Sequence, residues 1–215
     1  MPDRTPSSTT SNRQTQRSED TRRKVCAAVV ICLDEMGYSD TSIQRVQERA
    51  MVSRGALMHQ FATKEDLMAD TLAHLLAPTR RFKSQKRTQT NTVARGVSME
   101  ADLLSLWSKI ADRPEGRATV EILVAARTDR KLRDKIEPDL KKYNDDINQD
   151  ILRVYQAING TDEDVVEIWS ICRVFLRALH IQERFNSDPE MAQMMIIRLA
   201  KLVAPHMRAR TPEAK

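Results

Sequence analysis

Apolar residues recur at steps of three and four along most of this chain. That period fits helices with one buried face and excludes the strict alternation of half-buried strands. The pattern is most regular where Leu132, Ile136, Leu140, Tyr143, Ile147, Ile151 and Val154 follow one another, ended by Asn159 and Gly160. Pro138 falls inside that run and is expected to kink it. Only five glycines and 4% aromatic residues among 215 lean the same way. The predicted fold class is all-α with about nine helices, in one large domain or two small ones.

Residues 1–17 are Ser, Thr, Gln and Arg with almost nothing apolar, and are expected to form a flexible, disordered arm. From Glu19 a first helix sets Val25, Val29, Cys32, Leu33 and Met36 on one face before Gly37 stops it. Thr41 and Ser42 offer N-cap hydroxyls, and Gln44 is placed to complete a capping box on Thr41. Ile43, Val46 and Ala50 then mark a short second helix. Ser53 caps a third, with Val52 and Leu57 at hydrophobic-staple spacing and Leu57 and Phe61 on one face. Thr63 and Asp66 start a fourth, whose Leu67, Thr71, Leu72 and Leu75 run towards Pro78. The predicted first domain is 18–78, followed by a polar, basic linker at 79–96, a second domain at 97–207 and a tail at 208–215.

In the second domain Leu103, Leu104, Trp107 and Ile110 mark one helix, and Pro114 opens another through Val120, Ile122, Leu123 and Val124. Thr161 and Asp164 start a helix carrying Val165, Trp169, Cys172, Leu176 and Leu179. Ser187, Pro189 and Glu190 start the last, with a stripe of Met191, Met194, Met195, Leu199 and Leu202. Two readings of these final helices stand together: they build a dimer interface, or they complete the core of one protomer.

No apolar run approaches the ~20 residues that cross a bilayer, and no signal peptide opens the chain, so no membrane partner and a cytoplasmic location are expected. Searches for a GxSxG elbow, an HExxH pair, a phosphate-binding glycine loop and a dinucleotide fingerprint find nothing. The four histidines are scattered, so the expectation is a non-enzyme without metal or cofactor. Cys26, Cys32 and Cys172 read as buried free thiols. A net charge of +5 suits an anionic partner. Basic residues gather at Arg13, Arg17, Arg22, Arg23 and Lys24, and again at Arg80, Arg81, Lys83, Lys86 and Arg87, where solvated linker charge is an equal reading.

The order and spacing of Gly37-Tyr38, Thr41-Ser42, Val52-Ser53, Gly55-Ala56-Leu57, His59-Gln60-Phe61 and Lys64-Glu65-Asp66-Leu67 are similar to the DNA-binding domain of the TetR family. The stretch Leu123 to Asp129 is also similar to one in some members. The resemblance implies an N-terminal three-helix, helix-turn-helix domain and a C-terminal effector and dimerisation domain. Its third helix would lie in the ~12 Å major groove. There Arg54 would meet guanine, Ala56 a thymine methyl and Gln60 adenine, while Gly55 lets the backbone approach. Thr41, Ser53, Met58, His59 and Lys64 fall at positions that often touch phosphate, and Ser42 and Arg45 flank them. For His59, packing beside Phe61 is the alternative.

Three residues depart from the pattern: Gln47 where a small residue is usual, Met51 where the turn takes glycine, and Met58 where tyrosine is usual. In the second domain Trp107, Arg127, Tyr143, Asn144, Trp169 and His180 are able to stack on or hydrogen-bond an effector, in a cavity of about 300 Å³ or more. Ordinary core packing is the competing use of such aromatic residues. The implied function is a sequence-specific transcription regulator, a repressor released from a near-palindromic operator by a small-molecule effector. Its implied partners are double-stranded operator DNA, a second copy bound through the last two helices, and that effector. The alternative is a helical adaptor of the same fold that has lost DNA binding, for which Gln47, Met51 and Met58 are the motive.

Overall fold

A computed structural model of the chain describes residues 8–77, 98–108, 112–183, 185, 188 and 190–210. The 79–96 linker with its basic cluster, Ile110, Ser187 and Pro189 lie outside the described residues, as do the side chains of Arg13 and Arg17. Helix α1 spans Ser8–Asp40 and breaks at Gly37, whose φ of 74° supplies the expected stop. The start is earlier than expected: residues 8–17, predicted to be a disordered arm, are helical. Gln and Arg have good helix propensity, and extending an existing helix avoids the cost of nucleation.

Helix α2 (Ile43–Ala50), α3 (Arg54–Gln60) and α4 (Lys64–Leu76) follow in the predicted places. Their starts are fixed locally. Ser42 Oγ accepts from the Arg45 N–H at 3.2 Å, Ser53 Oγ accepts from the Ala56 N–H at 3.2 Å, and Thr63 and Asp66 form a reciprocal capping box. The box expected on Thr41 does not form: its hydroxyl donates to Gly37 O at 2.7 Å, and Gln44 bonds Glu48 instead. Leu57 is buried against Val25, Val29, Val46, Leu67 and Leu72 in a core that α6 (Pro114–Ala125) and the first half of α7 (Arg130–Val154) also enter, through Ile122, Leu132 and Ile136. Cys26 and Cys32 are free and buried near it.

Helix α7 runs on through Pro138 as one helix. A second core joins α5 (Met99–Leu106), the end of α7, α8 (Asp162–Glu183) and α9 (Met191–Val203) around Leu103, Cys172, Leu176, Leu179 and Ile196. Two departures occur here. Helix α7 stops at Val154, short of Asn159, and Tyr155–Ala157 (β1) pairs antiparallel with Met207–Ala209 (β2), Tyr155 opposite Ala209. Burial of Tyr155 and Met207 in the second core favours this ribbon over further helix. On α9 the buried residues are Ala192, Ile196, Leu199, Ala200 and Val203, so of the predicted stripe only Leu199 is fully in the core while Met194 and Leu202 are 49% and 71% exposed. The helix is apolar on two faces, and the small residues take the inward one.

Candidate nucleic-acid interface

The turn between α2 and α3 depends on Met51, which adopts φ 52° and ψ 41°, the left-handed conformation that usually falls to glycine. Its N–H donates to Glu48 O at 3.3 Å, and the Val52 N–H donates to Gln47 O at 3.4 Å, closing the end of α2 as a Schellman motif does. The side chain is 91% exposed, so its bulk meets nothing, and the conformation costs about 1–2 kcal/mol. Gln47 fits half-buried in the helix crossing.

Helix α3 turns Leu57 inward and leaves Arg54, Gly55, Met58 and His59 exposed, with Ala56 half-buried. Nothing lies within 4 Å of where a Cβ on Gly55 would sit. On the flanks, the exposed Ser42 and Ser53 hydroxyls accept their cap N–H bonds and keep a proton to donate outward. Arg45 is exposed with its guanidinium 3.1 Å from Met36 Sδ. His59 is exposed rather than packed inward beside the buried Phe61.

Three residues expected to touch DNA are engaged within the chain. Thr41 is fully buried with its hydroxyl on Gly37 O, so it holds the break after α1 and does not reach a phosphate. Lys64 turns inward: Nζ donates to Tyr38 O at 2.6 Å and stands 4.2 Å from the centre of the Tyr38 ring, and burial pulls its pKa down. It joins the start of α4 to the end of α1. Gln60 donates from Nε2 to Ser18 O and Oγ, both at 3.3 Å, and its Oε1 is buried with no partner among the described residues, so its amide is not offered to a base. Of the N-terminal cations, Arg22 is paired with Asp70 and Arg23 with Asp20, leaving Lys24 exposed.

Behind this surface a set of polar contacts, none visible to local sequence reasoning, joins the helix-turn-helix to α6 and α7. Tyr38 N–H donates to Glu121 Oε2 at 3.0 Å, and its hydroxyl donates to Asp129 Oδ2 at 3.3 Å. Burial and the Asp129 charge push that phenol up to about 12. Arg117 holds Asp34 in a fork, and Lys135 bonds Asp66 at 2.5 Å. The Lys135 bond and then the Thr63 hydroxyl hold the Asp66 carboxyl below its usual range. These partners stand more than sixty residues apart in sequence.

The residues expected to bind an effector fall into pairs. Trp107 stacks on His180 with ring centres 4.7 Å apart, and Trp169 on Tyr155 at 6.4 Å. Asn144 accepts from Arg173 Nη1 at 3.2 Å, and the Arg173 guanidinium lies 5.8 Å from the Tyr143 ring. Arg127 stays exposed after α6. None of these residues lines either of two clefts found among the described residues. One of about 230 Å³ is lined by Phe175, Met194, Met195, Arg198, Leu199 and Leu202, and one of about 260 Å³ by Leu152, Val166 and three acidic residues. Both are smaller than a drug-sized ligand needs. No helix among the described residues is long and apolar enough to cross a membrane.

Comparison with known proteins agrees with this geometry. The model for bacterial regulatory proteins of the tetR family matches residues 27–71. An uncharacterized HTH-type transcriptional regulator of Mycobacterium tuberculosis is 32% identical over 134 residues, covering 61% of this chain and 66% of its own length, just under two thirds. NalD, described as the secondary repressor of the MexAB-OprM multidrug efflux pump in Pseudomonas aeruginosa, matches with a TM-score of 0.61 at 16% identity, over 89% of this chain and 98% of its own. The multidrug binding protein EbrR, solved in complex with imidazole, matches with a TM-score of 0.55 at 17% identity, over 83% and 93%. At those identities the two structures speak for the fold. The matched segment lies on helices α1 to α4, so over residues 27–71 this chain is similar to the tetR family of bacterial regulatory proteins, and over most of its length it shares the fold of the two solved structures.

Proposed function

We propose that this chain is a sequence-specific DNA-binding transcription regulator that acts in the cytoplasm as a homodimer, repressing from a near-palindromic operator until a small-molecule effector releases it. The observation that carries the reading is the outer face of α3, where Arg54, Gly55, Met58 and His59 stand exposed after the serine-capped start of that helix. A helix end so exposed fits the major groove, with Arg54 suited to a guanine edge, Ala56 to a thymine methyl, and Ser42, Arg45, Ser53, Met58 and His59 to the backbone. Thr41, Gln60 and Lys64 serve by holding that surface in place. Met51 is accommodated in its turn, which takes away the strongest motive for an adaptor that has lost DNA binding.

Dimerisation rests on α8 and α9, whose outer faces expose Ile171 at 60%, Val174 at 63%, Ile181 at 52% and Leu202 at 71%. Apolar surface of that extent beside the Phe175 and Met194 cleft suits self-association of two copies. The test is selection of bound fragments from a random DNA pool, followed by a salt titration on the winning site. Enrichment of an inverted repeat, with affinity falling steeply as salt rises, is the expected result. Arg54→Ala should then relax preference at one base pair per half-site by about 1–3 kcal/mol. Uniform weakening over all sequences would overturn its base-reading role, and no enrichment at moderate salt would overturn the function.

A further inference from the structure

The interior between α7 and α8 holds a cation, Arg173, that forms no ion pair among the described residues. Arg173 is half-buried on the inner side of α8, one turn after Trp169 and one turn before Arg177. Its Nη1 bonds Asn144, its plane lies near the Tyr143 ring, and its Nε is buried with no acceptor among the described residues. Burial, and then the nearby Arg177 cation, pull its pKa down against the favourable contact with Tyr143, and no carboxylate pairs with it among the described residues. One turn along α7 from Asn144, the Oδ1 of Asn148 is likewise buried without a donor. A desolvated guanidinium costs several kcal/mol unless an anion answers it, and cations seldom stay buried without one. A guanidinium also offers a planar fork that matches a carboxylate with two parallel N–H bonds.

We propose that this cluster is the recognition point for the head group of a small organic carboxylate, with Arg173 as its ligand. The assignment rests on the effector reading above and names the chemical class of that effector. Arg173 Nε–H and an Nη–H take the two carboxylate oxygens, and Arg177 adds positive charge one turn on. Tyr143 and Trp169 supply flat apolar surface for the body of the molecule. Asn148 accepts from any hydroxyl or amine that the body carries. Neither of the two clefts described above is lined by Arg173, and seating the head group against the half-buried guanidinium parts α7 from α8. Because the first half of α7 packs in the same core as α1 and α4, and Lys135 of α7 bonds Asp66 of α4, that parting pulls on the recognition unit.

The chain contains two tryptophans, Trp107 and Trp169, both in this half, so intrinsic fluorescence reports binding without DNA. The full-length protein is titrated with benzoate, phenylacetate and octanoate, and with the corresponding amides, following fluorescence and melting temperature. At least one acid should give a saturable change and a rise in melting temperature, with its amide at least tenfold weaker. Arg173→Gln should weaken the acid at least tenfold, and Arg173→Lys, which keeps the charge without the fork, should weaken it less. Equal binding of acid and amide, unaltered by Arg173→Gln, would overturn the anion assignment and leave the effector reading intact. Failure of every acid and amide to bind at millimolar concentration would overturn both.

Discussion

The helix-turn-helix half and the α7–α8 interior treat buried polarity in opposite ways. In the first, Thr41 bonds Gly37 O, Thr71 bonds Leu67 O and Lys64 bonds Tyr38 O, with Gln60 Oε1 the exception. In the second, Arg173 Nε and Asn148 Oδ1 are without partners among the described residues. A buried donor or acceptor without a partner costs about 1–3 kcal/mol, so the first half is built to hold one shape and the second retains a local instability that a ligand would relieve. The contrast matches a reader that must present a rigid surface and a sensor that must respond to occupancy.

The rigid half is most vulnerable at Leu57. Leu57→Ala removes a fully buried side chain beneath α3 and is expected to lower stability by about 2–5 kcal/mol, read by denaturant unfolding with loss of DNA binding. A loss below about 1 kcal/mol would mean that the recognition helix is loosely seated after all. In the other half, Arg173→Met should leave stability unchanged or raise it by about 1 kcal/mol, since it removes a half-buried charge that has no anionic partner among the described residues. A strongly destabilised variant would show that Arg173 is a structural group, and the contrast would fail.

Asp66 ties the rigid half to α7 through its charge. Its carboxyl is depressed in the folded state, so its contribution is full above the unfolded value near pH 4 and is lost as pH falls through the folded one. Asp66→Asn should cost about 1 kcal/mol at neutral pH and flatten the fall of stability in acid. An acid limb as steep as that of the parent would deny the Lys135 bond its role. The smallest expected effect is at Gly55, where an added Cβ meets nothing and helix propensity improves by about 0.5–1 kcal/mol. Gly55→Ala should therefore melt slightly higher yet bind operator more weakly. Unchanged affinity would place the DNA backbone further from α3 than proposed.

What could be read beforehand followed the range of each interaction. The caps at Ser42, Ser53 and Thr63 and the stop at Gly37 were legible because a side chain and an N–H three residues apart, or one φ angle, decide them. Lys64 was conspicuous as a cation at a helix start, but its partner, Tyr38 O, lies 26 residues away and leaves no local trace. On α9 the apolar period was real and its phase ambiguous, because both Met194 and Ile196 sit on apolar faces and only packing against the second core selects one. The ribbon of β1 and β2 was invisible for a like reason, since three-residue strands carry too little alternation to register. Arg173 reads in sequence as one more helical arginine, and its surroundings are what set it apart.

That ribbon also settles how α8 and α9 are held. Its pairing of Tyr155 with Ala209, reinforced by the bonds from Arg210 to Val154 O and Asp162, ties a knot at the neck of an excursion of about fifty residues. The chain entropy of closing so long an excursion is largely independent of what the two helices do at their far end, so the neck fixes their base and leaves their outer faces open to the second copy proposed above. Trimming the chain before Met207 should untie it, and the assembly should then come apart on dilution at protein concentrations where the intact chain stays paired.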